Sequence, residues 1–486
     1  MKVGQKSLHP AWLCAWLATG ILIGIASCIF VKLDWIVNYG SLLLAVGICW
    51  FYFEKPPKQS VVLWLIAGMI IGLYRGTIEQ QSFTPYMSLW QKQVVLQAAV
   101  IDDPKRSSGQ ITFSVTDIRV DKTRLHGKVW VAVKGDEDIR RGDHLYIQGE
   151  LSPGFGTFQA AMYRGVITHV ERPHDTALAL RDGFAGAIQA VIPAPQSDLG
   201  IGFLLGKPTL PADVDEQLQI AGLTHIVVAS GYNVTILVLF VSRCLSRTSK
   251  YLITVLSALL ITGFITITGF SPSMVRAGWV AGLGLTAWYY GRSVPSLVLL
   301  SIVASLTALL NPSYVWGDVS WYLSFLAFAG VLWLSPQLKQ LLWPHKSMGM
   351  IRSTILETTC AQVMTLPLIL FVFGELASFA LIANLLVLPV VPLAMGLTFI
   401  AGLGKLVGLE IGWPAFLVLQ YITDVVQWIT NLPLASLQIE FSLQWLMGTY
   451  AVLVAGCLIL YRSTAKRQKK FDNAKQAILP SRPCEN

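Results

Sequence analysis

Four groups of polar residues interrupt the apolar part of this chain. The first is Thr224-His225, Ser230-Gly231, Asn233 and Thr235, an imidazole, hydroxyls and an amide within one apolar run. A charge at the centre of a bilayer costs about 2.5–3.5 kcal/mol on insertion scales, so polar groups that persist there face a cavity or one another. Ser230-Gly231 is a pair at which helices kink. A break there frees backbone groups that survive at membrane depth only beside water or protein. Two readings stand: a segment lining a polar pathway, and a packed helix whose polar side chains hold its neighbours.

The second group is Gly269-Phe-Ser-Pro-Ser273-Met-Val-Arg276, where the guanidinium either grips a phosphate bidentately or snorkels to the surface. The third is Asp318-Val-Ser320-Trp-Tyr-Leu-Ser324: the two serines are four residues apart and share a helix face, and Asp318 is placed to cap that helix. The fourth runs through Gln362, Pro367, Phe373-Gly374, Asn384, Pro389 and Pro392. Proline removes a bond from the helical ladder, and broken helices around polar groups build translocation sites. Read this way, Pro367, Pro389 and Pro392 are helix breaks, and Gln362 and Asn384 line the path. Simple kinks are the competing reading.

These residues need a membrane scaffold, and the composition supplies one. Only 13% of the 486 residues are charged and 54% are hydrophobic, against roughly 25% charged in a soluble domain. That excludes a disordered chain, a fibre and a single soluble globule. Sixteen Trp and 21 Phe suit contact with membrane lipid. Apolar runs at Trp12–Val31, Trp35–Phe53 and Val61–Ile78 are each long enough to cross a bilayer; the first exceeds a signal-peptide core and reads as a retained helix. Nine further runs begin near Ile220, Tyr251, Ser273, Val294, Asp318, Thr354, Ala377, Leu406 and Leu443, so the expected fold is a polytopic α-helical membrane protein of about 12 spans.

Residues 80–175 break this pattern. Alternation with period two marks strands at Gln93–Ile101, Gln110–Val120, Lys128–Val133, His144–Leu151 and Gly165–Val170. Five short strands suit a small OB-like barrel, with a β-sandwich as competitor. The expected organisation is three N-terminal transmembrane helices over 1–79, a β domain over 80–175, an amphipathic helix at 178–192 opening a multi-span region to 461, and a basic tail over 462–486. With both termini cytoplasmic, every inner loop carries a Lys or Arg, whereas the short outer loops carry almost none beyond Lys32. The tail alone is net +5 of the chain's +9. The β domain then lies outside the cytoplasmic membrane.

Seven cysteines are scattered without a CxxC pair, and no zinc site or disulfide framework emerges. No cofactor or metal is expected, and no nucleotide-binding G-x-x-x-x-G-K-[ST] motif occurs.

Taken in order, the four groups resemble the ComEC family of competence proteins. Gly222-Leu-Thr-His225-Ile-Val-Val-Ala-Ser230-Gly-Tyr-Asn233-Val is similar to the family's G-L-[ST]-H-L-L-A-[IV]-S-G-L-H-V. Arg276-Ala277, Asp318–Phe325, Thr365–Gly374 and Ala383–Pro389 resemble its later motifs, and Ser152-Pro153-Gly154 resembles the close of its β domain. The resemblance implies a channel passing single-stranded DNA through the cell membrane during natural transformation. It implies a cytoplasmic DNA motor and an extracytoplasmic DNA receptor as partners, and a path lined by Thr224, His225, Ser230, Gly231, Asn233, Arg276, Ser320, Ser324, Gln362 and Asn384. Two departures matter. Asn233 stands where the family has a second histidine, which keeps hydrogen bonding and loses protonation. The H-x-H-x-D-H metal set of the family's metallo-β-lactamase-like domain is absent from the seven histidines. No catalysis is therefore expected, and a separate nuclease would degrade the other strand.

Two other classes compete. In an intramembrane serine protease Ser230 would need a base, yet His225 is five residues away, about 140° round a helix, and no later span holds a histidine. A transporter of a small molecule or lipid-linked substrate shares the broken helices and needs no DNA surface.

Overall fold

The computed structural model describes residues 10–30, 60–107, 109–121, 123–135, 137–206, 210–227, 231–245, 247–269, 272–292, 294–343 and 349–478. The run Trp35–Phe53, expected as a crossing, lies outside the described residues.

Each of the five alternating segments carries a strand. In chain order the strands are β1 (Gln93–Val100), β2 (Lys105–Ser107), β3 (Gln110–Val120), β4 (Thr123–Leu125), β5 (Val129–Lys134), β6 (His144–Glu150), β7 (Ser152–Pro153) and β8 (Ala160–Glu171). β1 pairs with β3, β3 with β5, β6 with β8 and β1 with β6, all antiparallel, and β5 pairs with β8 in parallel. The ladder closes on itself, which leaves the five long strands no free edge and rules out a two-sheet sandwich. Alternate residues such as Leu96, Phe113, Val131, Ile147 and Met162 fill the interior.

Before the barrel come α1 (Pro10–Ser27), α2 (Ser60–Gln81) and the single turn α3 (Thr84–Met87). α1 and α2 meet backbone to backbone: a Cβ on Gly72 would lie 2.1 Å from the Ile21 carbonyl oxygen, and one on Gly68 2.1 Å from that of Leu17. Small residues allow this approach where lipid offers helices no hydrophobic drive to associate.

After the barrel come α4 (Thr176–Gln189), α5 (Gln196–Leu205), α6 (Ala212–Ile220), α7 (Thr224–Val227), α8 (Gly231–Cys244), α9 (Lys250–Thr268), α10 (Pro272–Tyr289), α11 (Ser296–Leu310), α12 (Ser313–Gly317) and α13 (Val319–Ala329). A π-helical turn (Gly330–Leu334) leads into α14 (Ser335–Leu342), followed by α15 (Met350–Phe373), α16 (Ala380–Val387), α17 (Val391–Leu406), α18 (Trp413–Thr430) and α19 (Leu443–Ile478). One core gathers α4–α7 with α16–α18, a second joins α8–α10, and a third joins α1 with α11–α13. Five helices among the described residues are long and apolar enough to cross a membrane, and α16–α17, bent by 48°, makes a sixth if counted as one span. α1, α8 and α11 are apolar but shorter.

Three contacts fix the barrel on the helices. Arg181 of α4 grips Asp103 through two bonds of 2.8 Å. Burial works against the Arg181 charge, but the hydrogen bonds and fields of Asp103 and Asp182, the latter at 3.1 Å, together outweigh it and hold the pKa above the usual arginine range. Arg141 donates to the Ile267 carbonyl at 3.3 Å, near the end of α9, where helix carbonyls lack intrahelical partners. Gly317, at the end of α12, lies so close to Gly156 of the β7–β8 loop that a Cβ on it would come within 2.8 Å of the Gly156 Cα.

Candidate functional site

Gly222-Leu223 ends α6 in a left-handed cap. Gly222 has φ +71°, its N–H donates to Gln219 at 2.9 Å, and the Leu223 N–H donates to Leu218 at 2.8 Å. This double bond is the Schellman pattern, which wants glycine at the left-handed position. A Cβ there would also press to 2.7 Å from that of Ala380. The chain then makes the four-residue helix α7, in which Ile226 and Val227 enter the core while Thr224 and His225 remain exposed. Ser230 lies outside the described residues.

Gly231 opens α8 where it meets α10: a Cβ there would stand 3.1 Å from that of Ala277 and 3.8 Å from the Phe328 ring. Asn233 is wholly buried. Its Nδ2 donates to the Phe203 carbonyl at 2.9 Å, in the last turn of α5, where carbonyls need outside partners. In this conformation it ties α8 to α5, and its Oδ1 has no partner among the described residues.

Arg276 adjoins Ala277 on α10. It is 1% exposed, so snorkelling is excluded. Its Nη2 donates to both the carbonyl and the Oγ of Ser320, each at 3.1 Å. Asp318 caps α13 by accepting from the Trp321 N–H at 3.1 Å, and this cap sets the position of Ser320. Nε and Nη1 of Arg276 are buried and have no partner among the described residues. Ser320 is exposed, and Ser324 is half-buried one turn along the same face. The first three groups thus meet where α8, α10 and α13 come together.

The fourth group stands apart. Pro367 lies inside the continuous helix α15, so it is not a break. Its missing N–H leaves the local ladder short of a donor, and nearby the Tyr450 hydroxyl of α19 donates to the Met364 carbonyl at 3.1 Å. Pro389 sits at the bend between α16 and α17. Pro392 occupies the first turn of α17, where its missing N–H costs nothing, so it starts a helix rather than breaking one. Asn384 is buried with Oδ1 unpartnered among the described residues, and Gln362 is half-buried. No hydrogen bond among the described residues joins either to Arg276.

A fifth polar group escaped sequence reasoning. Gln196 donates to Gln420 at 2.5 Å, Gln420 donates to Asp424 at 2.7 Å, and Gln189 donates to the buried Asp198 at 3.2 Å. The signal was present: Gln420, Asp424 and Gln427 repeat at helical spacing in otherwise apolar α18. No group of three or more metal-ligating side chains occurs among the described residues.

The family model described as Competence protein matches residues 203–463, more than half of the chain and the whole stretch from Thr224 to Asn384. This chain belongs to the competence protein family. An uncharacterized protein of Aquifex aeolicus (strain VF5) is 29% identical over 136 residues, which cover 28% of this competence-family chain and 32% of that relative. The chain thus spans about a third of the curated relative it matches. No solved structure matches.

Proposed function

We propose that this competence-family protein is the channel through which single-stranded DNA enters the cytoplasm during natural transformation. One observation carries the reading. In the family-matched region, α7 is four residues long, with Thr224 and His225 exposed and Ile226 and Val227 in the core. Backbone that leaves a helix at membrane depth needs water or protein beside it, and short helices around polar groups are the usual architecture of a translocation site. Arg276, with two open donors and a bond to exposed Ser320, supplies a charge matched to passing phosphates.

The wider architecture follows the same reading. The barrel is OB-like: counting only its five long strands, the ring order 1-2-3-5-4-1 with a parallel closing pair supports this. The protein crosses the cytoplasmic membrane about 12 times with both termini inside and the barrel outside, an orientation that the loop charges support. It does no chemistry of its own. A cytoplasmic motor pulls the strand, an extracytoplasmic receptor delivers it, and a separate nuclease removes its complement. The test is nuclease-protected labelled DNA inside cells carrying His225→Ala at normal membrane abundance. A severalfold loss supports the reading; full uptake contradicts it.

A further inference from the structure

The barrel as a whole is net +2 between Lys92 and Arg172, with 12 basic and 10 acidic residues, yet its charges are not evenly spread. Register separates them, because directly opposed residues share a face. Ile111, Phe113 and Val115 of β3 and Val129, Val131 and Val133 of β5 point into the core. The alternate residues therefore point outward. Lys105 stands opposite Thr112, Thr112 opposite Ala132, Gln110 opposite Lys134, and Ser114 opposite Trp130. Trp130 in turn stands opposite Ala161 of β8. By the same alternation Lys128 and Thr116 belong to this face. No carboxylate occurs in these rows, and none of the three lysines forms an ion pair among the described residues. Several charges elsewhere on the barrel are matched: Arg124 with Asp117 at 2.9 Å, Arg140 with Asp138 at 2.9 Å, and Arg172 with Asp138 at 3.2 Å.

Aromatic rings occupy the middle of the same face. Trp130 lies 5.7 Å from Phe155 and 5.4 Å from Tyr163, centroid to centroid. Phe155 is 46% and Tyr163 52% exposed. At its lower end the face opens on a crevice of about 220 Å³, where Lys128, Thr157 and Gln159 meet Asn311 and Ser313 of the helical region and Glu79 of α2, whose charge is paired with Arg75 at 3.0 Å. Gly156, next to Phe155, touches Gly317, three residues before Ser320. The face thus leads toward the helix that holds Ser320 and Arg276.

We propose that this face binds single-stranded nucleic acid, with bases stacking on Trp130, Phe155 and Tyr163 and phosphates against Lys105, Lys128 and Lys134. The proposal deepens the DNA-uptake reading and rests on it. Rings flanked by unpaired lysines match a chain that alternates π-faces and anions. From Lys128 to Lys134 the face extends about 20 Å, enough for several nucleotides. A lipid-facing patch would carry a broad apolar centre; here the centre is three rings bordered by lysines, hydroxyls and an amide.

The experiment is fluorescence anisotropy of a labelled dT15 strand with the full-length protein in nanodiscs of zwitterionic lipid, across salt. Phe155→Ala/Tyr163→Ala should weaken binding at least about tenfold and leave the salt slope unchanged. Lys105→Gln/Lys128→Gln/Lys134→Gln should flatten the slope of log K against log salt by about 2. Trp130→Phe, which keeps a ring, should bind within about threefold of wild type. Unchanged affinity and slope in folded, monodisperse variants would overturn the proposal and assign the rings to the lipid interface, as would a wild-type protein that does not bind the strand. Those failures leave the channel reading standing if deletion still abolishes uptake. Normal uptake in the deletion strain would sink the channel reading instead.

Discussion

Arg276→Met separates a structural arginine from a working one. The wild-type side chain is 1% exposed and makes two bonds, both from Nη2 to Ser320 at 3.1 Å. Hydrogen bonds to a charged group are worth about 1.5–3 kcal/mol each, so their loss costs about 3–6 kcal/mol. Removing the charge returns the penalty for holding an ion out of water, several kcal/mol after relaxation. Nε and Nη1 have no partner among the described residues, so their removal forfeits nothing. Met fills much of the same volume. The terms offset to within about 2 kcal/mol. The expected result is membrane abundance within twofold of wild type, a thermal midpoint shifted by a few degrees, and a loss of DNA internalisation of at least tenfold. Arg276→Lys keeps the charge but cannot present several fixed donors at once, so it should restore only part of the uptake. The assay is nuclease-protected labelled DNA per unit of membrane protein, alongside thermal unfolding in detergent. Full uptake by Arg276→Met at normal abundance would refute the working role. Collapse of the protein would refute the cancellation.

Other perturbations test the scaffold. Asp103→Asn removes the two-bond partner of Arg181, whose side chain is 2% exposed, and leaves it only Asp182 at 3.1 Å as counter-charge, so the loss should fall below the about 3–5 kcal/mol of a fully broken buried pair; limited proteolysis should then cut faster near residues 172–176, and Asp103→Leu/Arg181→Met should recover most of the protection. Gly72→Leu must push apart backbones already at contact, so its membrane abundance should fall severalfold, whereas Gly263→Ala, which meets open space, should express normally. Tyr450→Phe removes the hydroxyl that bridges α19 to the Met364 carbonyl of α15 at 3.1 Å and should lower the thermal midpoint, consistent with about 0.5–1.5 kcal/mol for one lost hydrogen bond. A cysteine at exposed Gln110, in a background without the native cysteines, should react with an impermeant maleimide on intact cells; reaction only after lysis would contradict the proposed orientation.

Strands announced themselves where one face is buried. β3 and β5 alternate cleanly because their inward residues pack a core, whereas β2, β4 and β7, two or three residues each, are too short for a period to show. Gly222 was visible as part of a motif, but its reason, a left-handed cap pressed on Ala380, is tertiary. Arg276 looked equally suited to the surface and to an anion; only the approach of α13 decides that it is buried. The bond of Asn233 to a helix-end carbonyl was not legible, because a polar residue in an apolar run reads alike whether it faces water or such a carbonyl. Pro367 misled because proline removes one bond, and a long packed helix absorbs that loss. Gly231 carries a further lesson. Its closeness to Ala277 means that Gly231→Leu would perturb packing as well as any path, so exposed His225 is the cleaner probe.

The central claim, a channel for single-stranded DNA, is tested most directly by one strain set: a deletion, the deletion carrying wild-type protein, and the deletion carrying His225→Ala. Each is given strand-specifically labelled DNA and scored for label that is nuclease-protected and single-stranded in the cytoplasm. The account predicts no internal label in the deletion, full recovery with wild type, severalfold loss with His225→Ala at equal membrane abundance, and normal growth throughout. Normal internal single strands in the deletion would contradict it outright.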